Sequence, residues 1–296
     1  MSMLRGPVVA YVHGMHGRRV CTHWFMATLL LVCPLTAQAQ EKTDSARLNR
    51  PLFMRSDLKV LGFFAAGTVL MFPLDRHLAS VIRDEDLVTN RNLQRISHGF
   101  RFFGGSGPYL IGSSMYVVGR LTRTRRAAEL ALHGTEAVVI GQAVSSVLKI
   151  TLGRARPYIS ADTNPRSFAF GRGLRGSDWE SFPSGHSTSA FAAAAAVSQE
   201  TAEWWPRTRW IFGPILYGGA AFVGMSRMYE DRHWASDVIM GAAVGTFAGL
   251  KTVRFNHTHE GNRLDRWLVG RKDEPARIRF SVNGDDALLV GATLPW

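Results

Sequence analysis

The chain has 296 residues, 46% of them hydrophobic, and a formal net charge of +12. That length holds one large domain or two small ones, and the apolar share permits a sizeable core. A balance this basic suits anionic partners; with no basic run interleaved with aromatics, nucleic acid gives way to acidic lipid or phosphorylated substrates.

The N-terminus reads as an export signal. Arg18 and Arg19 supply a positive start, residues 24–35 are apolar, and Ala37-Gln38-Ala39 fits a small-x-small cleavage site. Residues 1–39 are therefore expected to be a signal peptide, with an uncleaved anchor helix as the other reading. Cys21 and Cys33 are the only cysteines and both lie inside it. The chain beyond residue 39 can hold no disulfide, thiolate nucleophile or cysteine metal site. Residues 40–56 form a polar lead-in.

Apolar segments follow at 58–74, 107–118, 134–152, 187–197, 210–225 and 238–250. They are rich in Ala, Leu and Met with little strand alternation, which predicts helices. Glycines at 213, 218, 219 and 224 point to close helix–helix approach. Residues 76–106 read as an amphipathic helix plus a loop at Gly104-Gly105-Ser106-Gly107. Residues 153–186 form a connection longer than most loops, which suggests a functional one. Residues 278–296 read as a hairpin about Asn283-Gly284. The expected architecture is all-α, a bundle of about six core helices over 57–255, with a tail at 256–296.

Most of these segments run short of the roughly 20 residues that span a bilayer. If the signal is cleaved and every segment spans, Arg120, Arg123, Arg125 and Arg126 face outward, against the positive-inside tendency. The expectation is an exported, cell-envelope protein, membrane-embedded or peripheral, with its site in the periplasm.

Three clusters carry chemistry. The first holds Lys149 and Arg156, seven apart, with Pro157 next. Gly153 and Pro157 end the preceding helix, and two cations there can grip one dianion. The second is Pro183-Ser184-Gly185-His186, a turn opening a helix whose free N–H groups suit an anion. His186 there can protonate a leaving oxygen. The third holds Arg227, His233 and Asp237. His233 and Asp237 are four apart and on a helix would share a face, so Asp237 could hold one imidazole nitrogen and free the other as nucleophile. Each cluster alone has a plain structural explanation: interfacial cations, an ordinary helix cap, a surface His–Asp pair.

In this order the clusters match K-x-x-x-x-x-x-R-P, P-S-G-H and S-R-x-x-x-x-x-H-x-x-x-D. The chain resembles the type 2 phosphatidic acid phosphatase and vanadium haloperoxidase superfamily over 149–237, and in helical context over about 57–253. The resemblance implies that Lys149, Arg156 and Arg227, with Ser184 and the Gly185 N–H, bind phosphate oxygens. His233 would become phosphohistidine, His186 would act as general acid, and Asp237 would orient His233. No cofactor or metal is implied, and no carboxylate–histidine set has metal-ligand spacing. His257 and His259 fall in a polar tail with no matching acids. Arg154, Arg166, Arg172 and Arg175 read either as extending the positive field or as a solvated basic loop. Trp234 and Tyr229 read either as lining the entrance or as packing.

The expected activity is metal-independent hydrolysis of phosphomonoesters or diphosphates, those of lipids first. The alternatives are a soluble phosphatase of small phosphoesters and, behind it, a vanadate-dependent haloperoxidase; the presence of Lys149, Arg156, His186, Arg227, His233 and Asp237 together argues against a non-catalytic lipid-binding bundle.

Overall fold

The computed structural model describes residues 51–159, 164–259 and 262–270, and the backbone of 277–282 and 288–293. The expected signal peptide and most of the lead-in lie outside the described residues. In chain order the helices are α1 (Arg55–Met71), α2 (Asp75–Ile82), α3 (Glu85–Val88), α4 (Arg91–Gly104), α5 (Gly107–Leu121), α6 (Arg125–Leu152), α7 (Gly185–Trp204), α8 (Arg209–Tyr229), α9 (Ala235–Thr258) and α10 (Arg263–Leu268). The strands β1 (Arg277–Val282) and β2 (Leu288–Thr293) pair antiparallel as a two-stranded sheet.

The all-α bundle expected from the apolar segments is what the chain forms. The central helix is α7. Its run of alanines, with Ala192, Ala194, Ala195 and Ala196 almost fully buried, gives it a thin profile that α6, α8 and α9 can all approach. Outside these, α1 packs on α9, α4 on α8 and α5 on α6. The closest approach is between α7 and α9. Gly241, Gly245 and Gly249 recur every four residues on α9, so they share one face. A methyl group there would lie 2.4, 2.3 and 2.6 Å from the Ser184, Thr188 and Ala192 carbonyl oxygens, respectively. Of the glycines singled out from sequence, Gly224 meets Val238, Gly213 has ordinary contact with Ser198, and Gly218 and Gly219 have open space.

Two helices are longer than their apolar cores suggest. Helix α6 has 28 residues and α9 has 24, and both are long and apolar enough to cross a bilayer; α1 and α2 together form a third candidate, bent by 67°. Reading each segment only up to its first charge made them short. The helices in fact continue through Glu129 and Lys251, whose charges are met by Arg125 and Asp57, respectively. Large apolar side chains stay exposed along α6, among them Val139, Ile140, Val144 and Val147. The segment 76–106 is not one amphipathic helix and a loop but α2, α3 and α4 in succession, with only Gly105 and Ser106 between α4 and α5.

Candidate active site

Four helix ends meet at one end of the bundle, those of α6 and α8 where they stop and of α7 and α9 where they start. Helix α6 stops because Gly153 takes a left-handed φ of 55° and Pro157 follows. The chain then folds back through short 3₁₀ turns, with bridges from Arg154 to Phe168 and to Glu180, and enters α7 at Ser184. Ser184 is the N-cap; its Oγ accepts from Ser187 N at 3.4 Å and Ser187 Oγ at 2.9 Å. The loop between α8 and α9 brings in His233, and Ser184 N donates to the Asp237 carbonyl at 2.9 Å.

Lys149, Arg156, Ser184, Gly185, His186, Arg227 and His233 converge here. Lys149 Nζ lies against Gly185, 3.1 Å from where a methyl group on that residue would sit. Gln142, on the same helix as Lys149, donates to the Gly185 carbonyl at 2.7 Å. Arg227 is buried and paired with Glu230 at 2.5 Å. Glu230 also accepts from Ser97 at 3.1 Å, and Arg101 stands 3.8 Å from it. The Nε atoms of both Arg156 and Arg227 are buried and have no acceptor among the described residues.

His233 is 4% exposed, and its Nδ1 lies 2.7 Å from the Ser181 carbonyl. A carbonyl only accepts, so Nδ1 carries the proton and Nε2 of the neutral ring keeps its lone pair. Burial, against the opposing pull of Asp237 and with the cations Arg156 and Lys149 adding to it, holds the imidazole down at about 4. His186, half-buried at the start of α7, is pushed down to about 3 by burial and by the charges of Arg227, His233, Lys149 and Arg101.

The helical i,i+4 geometry expected for His233 and Asp237 does not occur. His233 precedes α9, and Asp237 is the third residue of that helix, where its Oδ2 accepts the Trp234 N–H at 2.8 Å. Asp237 Oδ2 is 3.6 Å from His233 Nδ1 and 2.5 Å from Ser181 Oγ. Its hold on the imidazole therefore runs through Ser181, whose carbonyl is the direct partner.

Behind this pair lies a residue misread from sequence. Arg154 neither extends the positive field toward a ligand nor sits in a solvated loop; it is fully buried. It pairs with Asp237, donates to Ser236 Oγ at 2.7 Å and to Asp75 at 2.7 Å, and makes two bonds to the Pro165 carbonyl at 2.5 and 2.8 Å. The rings of Phe72, Phe168, Phe182 and Trp234 surround it at 4.8–5.9 Å. Asp75 also caps α9 by accepting from Ser236 N at 2.9 Å. No sequence motif joins Asp75 to Arg154; the nearest signal was an arginine directly after a helix-ending glycine. The other loop arginines, Arg166, Arg172 and Arg175, are exposed, and Arg172 covers the Trp179 ring at 3.9 Å. Trp234 is 2% exposed and donates to the Ala155 carbonyl at 2.9 Å, so it packs rather than lining an entrance. Tyr229 donates to the Leu87 carbonyl at 2.8 Å.

Chemically, the arrangement offers a neutral imidazole lone pair, a second imidazole, three cations and the first N–H groups of α7 around one point. Such a set can stabilise a phosphoryl group as charge builds on its oxygens.

Known proteins are similar to parts of this chain. A lipid A 1-phosphatase of Porphyromonas gingivalis is 43% identical over 88 residues, 29% of this chain and 19% of that one. A lipid A 1-phosphatase of Rhizobium johnstonii is 40% identical over 117 residues, 39% of this chain and 43% of that one. An undecaprenyl-diphosphatase of Sulfolobus acidocaldarius is 28% identical over 137 residues, 45% of this chain and 63% of that one. The matched stretch thus spans less than two thirds of each of these relatives. Residues 131–260 match the family described as the PAP2 superfamily, and all three motif clusters fall inside that match, so over this stretch the chain is similar to the PAP2 superfamily.

Proposed function

We propose that this chain hydrolyses phosphomonoesters or diphosphates of lipids through a phosphohistidine on His233, without a divalent ion. The observation that carries the reading is the pair of buried guanidinium N–H groups, Arg156 Nε and Arg227 Nε, with no acceptor among the described residues. A buried donor left unpaired is costly, and two of them beside a free imidazole nitrogen call for an anionic ligand.

In this mechanism Arg156, Arg227 and Lys149 hold the phosphoryl oxygens, joined by the Gly185 N–H and the Ser184 hydroxyl. His233 Nε2 attacks phosphorus in line, and the bond to the leaving oxygen breaks. His186, which takes up a proton when the dianion offsets the surrounding cations, gives that proton to the leaving oxygen. Water then attacks the phosphohistidine, His186 takes the water's proton, and inorganic phosphate leaves. Asp237, Arg154 and Ser181 keep His233 in its tautomer. The preference for a lipid rests on the two apolar helices α6 and α9, on the exposed apolar side chains of α6, and on the lipid substrates named for the relatives.

The test is phosphate release in EDTA from phosphatidate, a polyprenyl diphosphate and p-nitrophenyl phosphate. The lipids are expected to be turned over and His233→Ala to reduce release by at least about 10³-fold. Rapid quenching with ³²P-labelled substrate should trap acid-labile label on the wild-type protein alone. Activity that needs an added metal, or that survives in His233→Ala, would overturn the mechanism. Turnover of the soluble ester alone would overturn the lipid assignment.

A further inference from the structure

A second set of side chains meets at the other end of the bundle. His133 on α6, Glu200 on α7 and His257 on α9 bring their side-chain tips together. His133 Nδ1 is 3.1 Å from Glu200 Oε2, and His257 Nε2 is 2.9 Å from Glu200 Oε1. One nitrogen or oxygen from each of the three lies within 4.8 Å of the others. Glu200 follows Gly185 by fifteen residues of continuous helix, which is about 22 Å of rise. The cluster is therefore separate from the phosphate site.

Its surroundings carry surplus negative charge. Asp265 Oδ2 is 3.4 Å from His133 Nε2, and Glu136 accepts from Asn256 Nδ2 at 2.7 Å. The remaining oxygens, Asp265 Oδ1 and Glu136 Oε1, are buried without a hydrogen-bond partner among the described residues. Three carboxylates thus face two imidazoles, and two of their oxygens have no donor. A buried charge needs a counter-charge, and these orphaned oxygens leave the carboxylates around the cluster short of donors.

We propose that His133, Glu200 and His257 form a divalent transition-metal site of the zinc type, with Asp265 orienting His133. Two imidazoles and a carboxylate are a zinc donor set; ligand atoms about 2.1 Å from a tetrahedral zinc stand about 3.4 Å apart, and here the two imidazole nitrogens stand 3.1 and 2.9 Å from the Glu200 oxygens. A carboxylate on the far nitrogen of a ligating histidine fixes which nitrogen faces the metal, and Asp265 does this for His133. Two nitrogen donors disfavour magnesium and calcium. The His257 side chain is 34% exposed, which gives the ion a way in. The ion would tie α6, α7 and α9 together at the end remote from His233 and take no part in hydrolysis.

The experiment uses the full-length chain in detergent, stripped with EDTA and desalted. Zinc titration should give one ion per chain and raise the unfolding temperature by about 5 °C or more, while magnesium does neither. Glu200→Gln and His257→Ala should each abolish stoichiometric zinc, and Asp265→Asn should weaken it about 10- to 100-fold. His259→Ala, an exposed neighbour on the same turn, should still bind one zinc. Because His257 is partly exposed, His257→Ala tests the site even if Glu200→Gln does not fold. A wild-type chain that binds no zinc, or a His257→Ala chain that binds as wild type, overturns the proposal and leaves a hydrogen-bond network. Phosphate release in EDTA at 25 °C is expected to persist throughout, so failure of the zinc site and failure of the phosphatase reading are told apart.

Discussion

Replacing Arg154 leaves Asp75 and Asp237 as buried carboxylates with no cation between them. Breaking such a buried pair from one side costs about 3–5 kcal/mol, because the charge left behind cannot rehydrate. Arg154→Met is therefore expected to lower the unfolding midpoint sharply and to reduce kcat by loosening His233. Arg154→Lys should fare little better, since one ammonium cannot reproduce a planar fork that meets Asp75, Asp237, Ser236 and Pro165 at once. Unchanged stability in Arg154→Met would show the network to be incidental. His186 supports a second expectation. Burial and the surrounding cations push it down to about 3, so it is neutral in the empty site at pH 7. A bound dianion offsets those cations and raises it. Tungstate carries no proton at that pH, so its binding should take up close to one proton from buffer, read by calorimetry in buffers of different ionisation enthalpy. Equal uptake by His186→Ala would remove His186 from that role. The residues gathered at the candidate site were legible in the sequence because the proposed chemistry demands their types at short spacings. Arg154 and Asp75 were not, being 79 residues apart and joined only by folding. The same holds for His133, Glu200 and His257. The last looked like part of a tail until α9 proved to continue to Thr258 and set it over α7.

Among the helices, the contact between α7 and α9 gives the sharpest contrast. Gly245 stands where a methyl group would lie 2.3 Å from the Thr188 carbonyl oxygen and 2.8 Å from Ala192 N. Backbone cannot yield like the end of a long side chain, so Gly245→Ala forces the helices apart. That separation shifts Ser184 and Asp237, which α7 and α9 hold in hydrogen-bonded contact. The expected result is a destabilised protein with greatly reduced activity. Gly219→Ala, in the same kind of small-residue sequence but with open space around it, should be neutral or stabilising by up to about 1 kcal/mol through helix propensity. Comparable unfolding midpoints for the two variants would refute the close-packing account. Periodicity located the helices because apolar faces repeat. It gave poor ends, since α6 and α9 run past charges that have partners elsewhere in the fold, and it did not tell packed glycines from idle ones.

At the scale of the whole molecule, the direction of the helices sets a constraint on topology. Asp57 near the start of α1 meets Lys251 and Arg254 near the end of α9, so residue 55 lies at the end away from His233. The turn between α5 and α6, with Arg123 and Arg125, lies at that same remote end, as does the link from α7 to α8. Helices α2, α3 and α4 stay near the phosphate site, where Tyr229 binds Leu87, Ser97 meets Glu230, and Gly104 abuts His186. If the core helices cross a bilayer, a chain exported ahead of residue 55 puts the remote end outside and His233 inside. A cleaved leader and an outward-facing site are then mutually exclusive. Single cysteines decide this once Cys21 and Cys33 are replaced by serine. Ser177→Cys is exposed beside the phosphate site and Arg207→Cys is exposed at the remote end. With an impermeant maleimide on intact cells, one should label before lysis and the other only after it. Labelling of both from the same side would mean that α7 does not cross the membrane. Labelling of Ser177→Cys from outside would show that the chain ahead of α1 stays inside, and labelling of Arg207→Cys would show that the candidate site faces inward.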